Sequence, residues 1–258
     1  MKYHVREVRV VDNVKTGGDI YLLTLAAPAI AAAALPGQFI HLRCGEGLDP
    51  LLRRPFSIYG VDRKNSLVQT WYQVVGKGTD LLRKAKAGKT LDVIGPLGKG
   101  FFTDIAGRNA GLVGGGMGIA PLMFLGGELA QNNRVHSFFG VRSKAQLPPG
   151  LSFPTPLVAT EDGSAGRRGL VTDVLEQELQ RQKMDILYAC GPRAMLQQVV
   201  KLAQKYDIPL QVSLESAMAC GVGACLGCAC EKSGADGESW LKACQDGPVF
   251  WAAEVKWE

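Results

Sequence analysis

Four cysteines near the C-terminus constrain this chain more than any other feature. Cys220, Cys225 and Cys228 stand at C-x4-C-x2-C, and Cys244 follows after fifteen intervening residues. Thiolates are soft ligands, and this spacing is the plant-type pattern for a [2Fe–2S] cluster. Gly221, Gly223 and Gly227 let the backbone fold closely around an inorganic core and turn amides toward its sulfurs. A structural zinc site usually takes two paired C-x2-C knuckles, whereas the second half of this array supplies Cys244 alone. A disulfide framework sits badly with an odd total of 7 cysteines and with an N-terminus in which no signal peptide is read. Cys230, at C-x-C spacing from Cys228, is a weaker ligand candidate, and Cys44 and Cys190 are remote in sequence.

Composition narrows the function classes. With 258 residues, 47% of them hydrophobic and 21% charged, the chain suits one large domain or a few small ones. The apolar run from Ala26 to Leu35 is broken by Pro28 and closed by Pro36, far short of the ~18 residues a membrane helix needs. The formal charge of +5 is spread along the chain without the basic stripe that nucleic acid requires. Neither nucleic acid nor membrane is expected as a partner, and free metal-ligating thiols suit the reducing cytoplasm.

The hydrophobic rhythm divides the chain. Short candidate strands at Val5–Val11, Ile20–Leu25, Phe39–Leu42, Ser57–Val61, Leu67–Val75 and Leu91–Ile94 argue an antiparallel barrel. One helix is expected to interrupt it, starting at Thr79 and Asp80, running through Lys86 and stopped by Gly88. Beyond residue 105 strands and helices alternate, which implies a parallel sheet. The expected fold is multi-domain: an antiparallel β-barrel domain over 1–100, an α/β parallel-sheet domain over 101–213, and a small [2Fe–2S] domain over 214–258, the first two being the FAD and NAD domains that the motifs below imply. That last segment has too few apolar residues to fold alone, so the cluster is expected to staple it.

The cofactor assignments rest on motifs. Arg54-Pro55-Phe56-Ser57 resembles the R-x-[YF]-S flavin motif of the ferredoxin–NADP reductase superfamily, with Phe56 where many members carry Tyr. Arg54 offers a planar fork for a pyrophosphate, Pro55 stiffens the turn, Phe56 gives a flat apolar surface, and Ser57 is the one near-catalytic candidate, placed to bond the flavin edge. Gly78 permits close approach and the Thr79 amide opens a helix, a place for phosphate. Trp71, Tyr72 and Gln73 lie on the next strand and complete the FAD candidates.

For NAD, Gly114, Gly115, Gly116, Met117 and Gly118 follow a strand and open a helix, similar to the superfamily's G-G-G-x-G-x-[AT]-P element. Cys190, Gly191 and Pro192 resemble its C-G-P element beside the nicotinamide. No basic cluster is dedicated to a 2′-phosphate, so NAD is favoured over NADP. Glu161-Asp162-Gly163-Ser164 either borders the ribose or forms an exposed loop. His4, His41 and His136 are isolated and read as structural or surface residues.

Across nearly its whole length, and most specifically in the cysteine array and Asp246-Gly247-Pro248-Val249-Phe250, the chain resembles the electron-transfer subunits of bacterial type B, NAD-dependent dihydroorotate dehydrogenase. The resemblance implies an FMN-containing catalytic subunit as partner, in a heterotetramer of two plus two. It also implies electron flow from dihydroorotate through the cluster and FAD to NAD in pyrimidine biosynthesis. The same motifs occur in flavin subunits of ferredoxin-dependent NAD(P) oxidoreductases, sulfide dehydrogenase-like enzymes and hydrogenase complexes. A third reading is an iron–sulfur redox sensor that is not an enzyme.

Overall fold

The computed structural model describes residues 4–149, 156–234 and 239–257. Its first half is antiparallel: β1 (His4–Gly17), β2 (Ile20–Ala26), β3 (Phe39–Leu42), β4 (Arg54–Ser57), β5 (Gly60–Asp62), β6 (Leu67–Gln73) and β7 (Thr90–Leu97). They form one sheet in the order β4-β3-β7-β1-β2-β6-β5. Its two edge strands, β4 and β5, are consecutive in the chain and joined only by Ile58 and Tyr59, so the sheet must curl until its edges meet. The link bonds both of them. Ile58 N–H donates to the Gln38 carbonyl beside β3 (3.0 Å), and Tyr59 N–H donates to the Gln69 carbonyl on β6 (2.8 Å). This crossing is why the single strand expected over Ser57–Val61 appears as two, on opposite edges of the sheet.

Alternation along the strands fills the barrel. Leu23, Leu25, Ile40, Leu42, Leu91 and Val93 point into one buried cluster. Two short helices pack against its core, where one was expected. Helix α1 (Pro28–Ala33) uses the Ala-rich run, with Pro28 in its first turn and Ile30 and Ala31 buried. Helix α2 (Lys77–Leu82) stops sooner than expected, and Gly88, at φ +88°, turns the chain into β7.

The second sheet collects β8 (Asn109–Gly115), β9 (Arg134–Val141), β10 (Leu157–Thr160), β11 (Arg167–Arg168), β12 (Ile186–Cys190) and β13 (Leu210–Ser213), all parallel. Around it lie α3 (Ile119–Leu129), α4 (Val171–Arg181) and α5 (Arg193–Lys205). The order β11-β10-β9-β8-β12-β13 shows the chain stepping outward from β8 and then returning to β8's other side. The reversal leaves a crevice at the carboxyl ends of β8 and β12, the place where open α/β sheets bind ligands. Those ends carry Gly114–Gly118 and Cys190–Pro192. None of the helices among the described residues is long and apolar enough to cross a membrane.

The cysteine-rich segment contains a hairpin of β14 (Ala229–Glu231) and β15 (Trp240–Lys242) and a strand, β16 (Val249–Trp251). Strand β16 joins the second sheet, antiparallel to β13, with Phe250 opposite Val212. A backbone bond also ties the segment to the chain after β7: Lys99 N–H donates to the Gly247 carbonyl (2.5 Å). The segment is therefore anchored by packing and backbone pairing as well as by any metal it carries. Phe250 is 4% exposed within the second sheet's core. Phe250→Ala is expected to lower unfolding free energy by about 3–5 kcal/mol, read by denaturant titration.

Candidate functional site

The cysteine array folds into a loop whose amides point at its own sulfurs. Val222, Ala224 and Cys225 N–H groups donate to Cys220 Sγ at 3.5, 3.3 and 3.4 Å. Gly223 N–H donates to Cys244 Sγ (3.1 Å), Gly227 N–H to Cys225 Sγ (3.5 Å) and Cys244 N–H to Cys228 Sγ (3.4 Å). Burial opposes ionisation of Cys220, but these amides and the Cys225 thiol outweigh it and bring its pKa down to about 6. Burial, then the Cys228 side chain, pushes Cys244 up to about 12. The thiols interact in two pairs, Cys220 with Cys225 and Cys228 with Cys244, and Cys220 also acts on Cys244. Among the described residues no three His, Cys, Asp or Glu side chains converge as a single ion would need. Two pairs of thiols, each with N–H donors for the negative charge, fit a two-iron centre with two thiolates per iron. Cys230 turns away, its thiol directed at the Leu241 carbonyl (3.5 Å).

The loop rests on the outside of the barrel wall. Residues Ile40 and Leu42 of β3 face the barrel core, so Phe39 and His41 face outward, yet they are 3% and 0% exposed. Phe39 and Leu97 pack with Cys228, Ala243 and Cys244, with Met218 and Val222 at the margin. Edge strand β4, next to β3, carries the flavin tetrad, with Phe39 opposite Ser57 and His41 opposite Pro55. The same wall thus supports the cysteine loop and the expected flavin residues.

A cleft of about 410 Å³ runs from that tetrad to the crevice of the second sheet. Arg54, Pro55, Phe56, Ser57, Trp71, Tyr72, Gln73, Gly78 and Thr79 all line it, together with Met117, Gly118 and Cys190. One end is rich in donors. The amides of Lys77, Gly78 and Thr79 precede the first helical bond of α2, from Asp80 N–H to the Gly76 carbonyl (2.9 Å). Arg54 lies against Gly78, where a Cβ would sit 3.4 Å from its Nε, and Nη1 donates to the Leu52 carbonyl (2.6 Å). The Thr79 hydroxyl has a different task from its amide: it accepts Val75 and Gly76 N–H (3.0 and 3.2 Å) and locks the turn. Phe39, Leu214, Met218 and Pro248 add apolar lining. Trp71 and Tyr72 contribute little exposed side chain, since Trp71 Nε1 donates to Thr16 Oγ1 (3.1 Å) and the Tyr72 hydroxyl to Asn13 Oδ1 (3.2 Å). Guanidinium and amides beside an apolar lining suit a flavin nucleotide.

At the other end two loops press together. A Cβ on Gly118 would lie 2.3 Å from the Cys190 carbonyl oxygen, and one on Gly115 would lie 2.5 Å from Met195 Sδ and 3.0 Å from Pro192 Cδ. Gly114 and Gly115 are buried by this packing, while Gly116 and Met117 stay partly open. Gly191 and Pro192 border an adjoining cavity of about 440 Å³ with Glu215 and Ser216. Cys190 is 3% exposed, and burial, followed by the nearby Glu215 charge, raises its thiol pKa. The Glu161–Ser164 stretch is an exposed turn in which Ser164 N–H and Oγ–H bond Asp162 Oδ1 (2.9 and 2.6 Å).

Sequence reasoning missed several lining residues: Phe39, Leu214, Glu215, Ser216, Met218 and Pro248. Ser213–Ser216 carried one usable signal, because it leaves the carboxyl end of a parallel strand beside the crevice. His41 carried none. It is fully buried against the cysteine loop, where a Cβ on Gly221 would lie 2.5 Å from its Nδ1.

Burial, and then the Arg53 charge, lowers the His41 pKa to about 4. The unfolded chain binds a proton below its ordinary value of 6.5 while the folded ring stays neutral. Stability from this residue is complete above that value and is expected to fall by up to about 3 kcal/mol as the pH drops to 4. His41→Leu should flatten the slope in urea unfolding series taken across this range.

Residues 215–256 match the family model "Iron-sulfur cluster binding domain of dihydroorotate dehydrogenase B". The dihydroorotate dehydrogenase B (NAD(+)) electron transfer subunit of Desulforamulus reducens is 39% identical, over 98% of this chain and 99% of its own. The same subunit of Geobacillus thermodenitrificans is 44% identical, over 91% and 92%. Among solved structures, an NADH-dependent reduced ferredoxin–NADP oxidoreductase studied for flavin-based electron bifurcation superposes at TM-score 0.86, with 34% identity over 97% of this chain and 90% of that one. A ferredoxin reductase of carbazole 1,9a-dioxygenase, 20% identical over 82% of this chain and 69% of its own, shares the fold at TM-score 0.70. This chain belongs to the family of dihydroorotate dehydrogenase B (NAD(+)) electron transfer subunits.

Proposed function

We propose that this chain is the electron-transfer subunit of an NAD-dependent dihydroorotate dehydrogenase. It takes up electrons released when an FMN-containing partner oxidises dihydroorotate to orotate, and delivers them to NAD during pyrimidine biosynthesis in the cytoplasm. Two copies of each subunit form the working assembly. The observation that carries the reading is the meeting of three elements at one wall: paired cysteines behind β3, the Arg54–Ser57 tetrad on β4, and the glycine crevice facing it. When bound, NAD exchanges hydride, FAD handles both one- and two-electron transfers, and a [2Fe–2S] cluster exchanges single electrons.

The chain's own residues have separable tasks in this reading. Cys220, Cys225, Cys228 and Cys244 hold the iron, and the loop amides offset the negative charge of their sulfurs. Arg54 and the first amides of α2 hold the FAD pyrophosphate, with the Gly78 backbone close by. Ser57 lines the cleft, and its hydroxyl would bond the flavin edge. Gly114–Gly118 and Cys190–Pro192 bring backbone close to NAD at the strand ends. Residues 1–100, 101–213 and 214–258 then correspond to FAD, NAD and cluster units.

Each assignment has a direct test. The complex co-purified with this chain should reduce NAD when given dihydroorotate. Cys225→Ser should abolish that reaction while NADH still reduces the bound FAD. If such a complex, with full flavin and iron content, reduces NAD only from ferredoxin or a sulfur donor, the dihydroorotate reading is wrong. Arg54→Ala should weaken FAD retention by roughly 10- to 100-fold, the loss expected of a charge-assisted bond, as read by flavin absorbance after dialysis.

A further inference from the structure

His41 has no role in the reading above, and its surroundings are unusual. It is 0% exposed, and neither ring nitrogen completes a hydrogen bond. Leaving a buried polar group unpartnered is costly, so an apolar side chain would serve simple packing better. The backbones of Cys220 and Arg53 both act on the ring, each favouring its protonated form. The ring is held from below by β3 and lies opposite Pro55 of the flavin tetrad. From above, the Cys220–Gly221 backbone presses on it, so closely that only glycine, at φ +71°, fits beside Nδ1.

We propose that His41 is a positioning residue for the iron–sulfur site, which directs a ring N–H at the Cys220–Gly221 segment and thereby raises the reduction potential of the cluster held there. This rests on the reading that these cysteines carry the cluster. The physical reason is electrostatic. Reduction adds negative charge to the cluster and its thiolates, and an N–H dipole fixed in a water-poor site stabilises that added charge. Hydrogen bonding and burial around the sulfurs are among the factors that set such potentials. Cys220 already receives three amide donors, so its sulfur is where the chain concentrates this stabilisation. In the proposal the His41 ring adds to this from β3, a strand buried on both faces.

The test compares purified wild type, His41→Leu and His41→Gln by iron content, EPR of the reduced cluster and its redox titration. His41→Leu is expected to lower the midpoint potential and alter the g-values at full iron content. His41→Gln, which keeps an N–H donor at similar reach, is expected to stay near wild type. If His41→Leu loses its iron, the decision falls to His41→Gln: a wild-type potential supports the proposal and a lowered one overturns it. Equal potentials in wild type and fully loaded His41→Leu overturn it while leaving the cluster assignment intact. A wild-type chain lacking iron after anaerobic reconstitution overturns the cluster assignment, and the proposal with it.

Discussion

The burial of β3 on both faces is the constraint on which the rest of this structure depends. Antiparallel sheets commonly leave one face to solvent, but Phe39, Ile40, His41 and Leu42 are all buried. Ile40 and Leu42 complete the barrel core, and Phe39 and His41 become the floor beneath the cysteine loop. Because β4 is the neighbouring strand, whatever packs behind β3 is automatically close to the Arg54–Ser57 tetrad. The cysteine loop and the tetrad are thus brought near each other by one strand pair, without a long connecting network.

Backbone amides are the recurring device at these sites. They converge on the cysteine sulfurs, they open α2 beside Arg54, and they reach the crevice where Gly118 meets the Cys190 carbonyl. Amides take up no side-chain volume and carry no titratable proton, so they can support anionic groups in tight space. In our proposals side chains then supply what amides cannot: the planar charge of Arg54, the hydroxyl of Ser57 and the ring of His41.

Much of this was legible in the residues. Thiol spacing, the Arg-Pro-Phe-Ser tetrad and the glycine run are local patterns, and local patterns report chemistry directly. The long strands and amphipathic helices were legible too, since periodicity follows from which side of an element is buried. What failed was less local. Ser57–Val61 reads as one strand because nothing in five residues reveals that they cross between opposite edges of a closing sheet. Residues Ala26–Leu35 were weighed only against a membrane, although Pro28 followed by alanines also starts a short helix. His41 reads as structural or surface because a lone histidine has no partner in sequence, and the loop that buries it, at Gly221, is 180 residues away.

The sequence by itself determined which chemical groups are present and at what spacing, and hence the kinds of carrier the chain can hold. Only the tertiary structure decided how those groups are arranged in space. Barrel closure through Ile58 and Tyr59, the reversal at β8 and the return of β16 onto β13 bring the tetrad, the glycine crevice and the cysteine loop together. These are long-range contacts whose stability comes from burying surfaces that the chain order does not place side by side. A residue's surroundings, and therefore the potential or affinity it helps to set, follow from that burial and not from the identity of its neighbours along the chain.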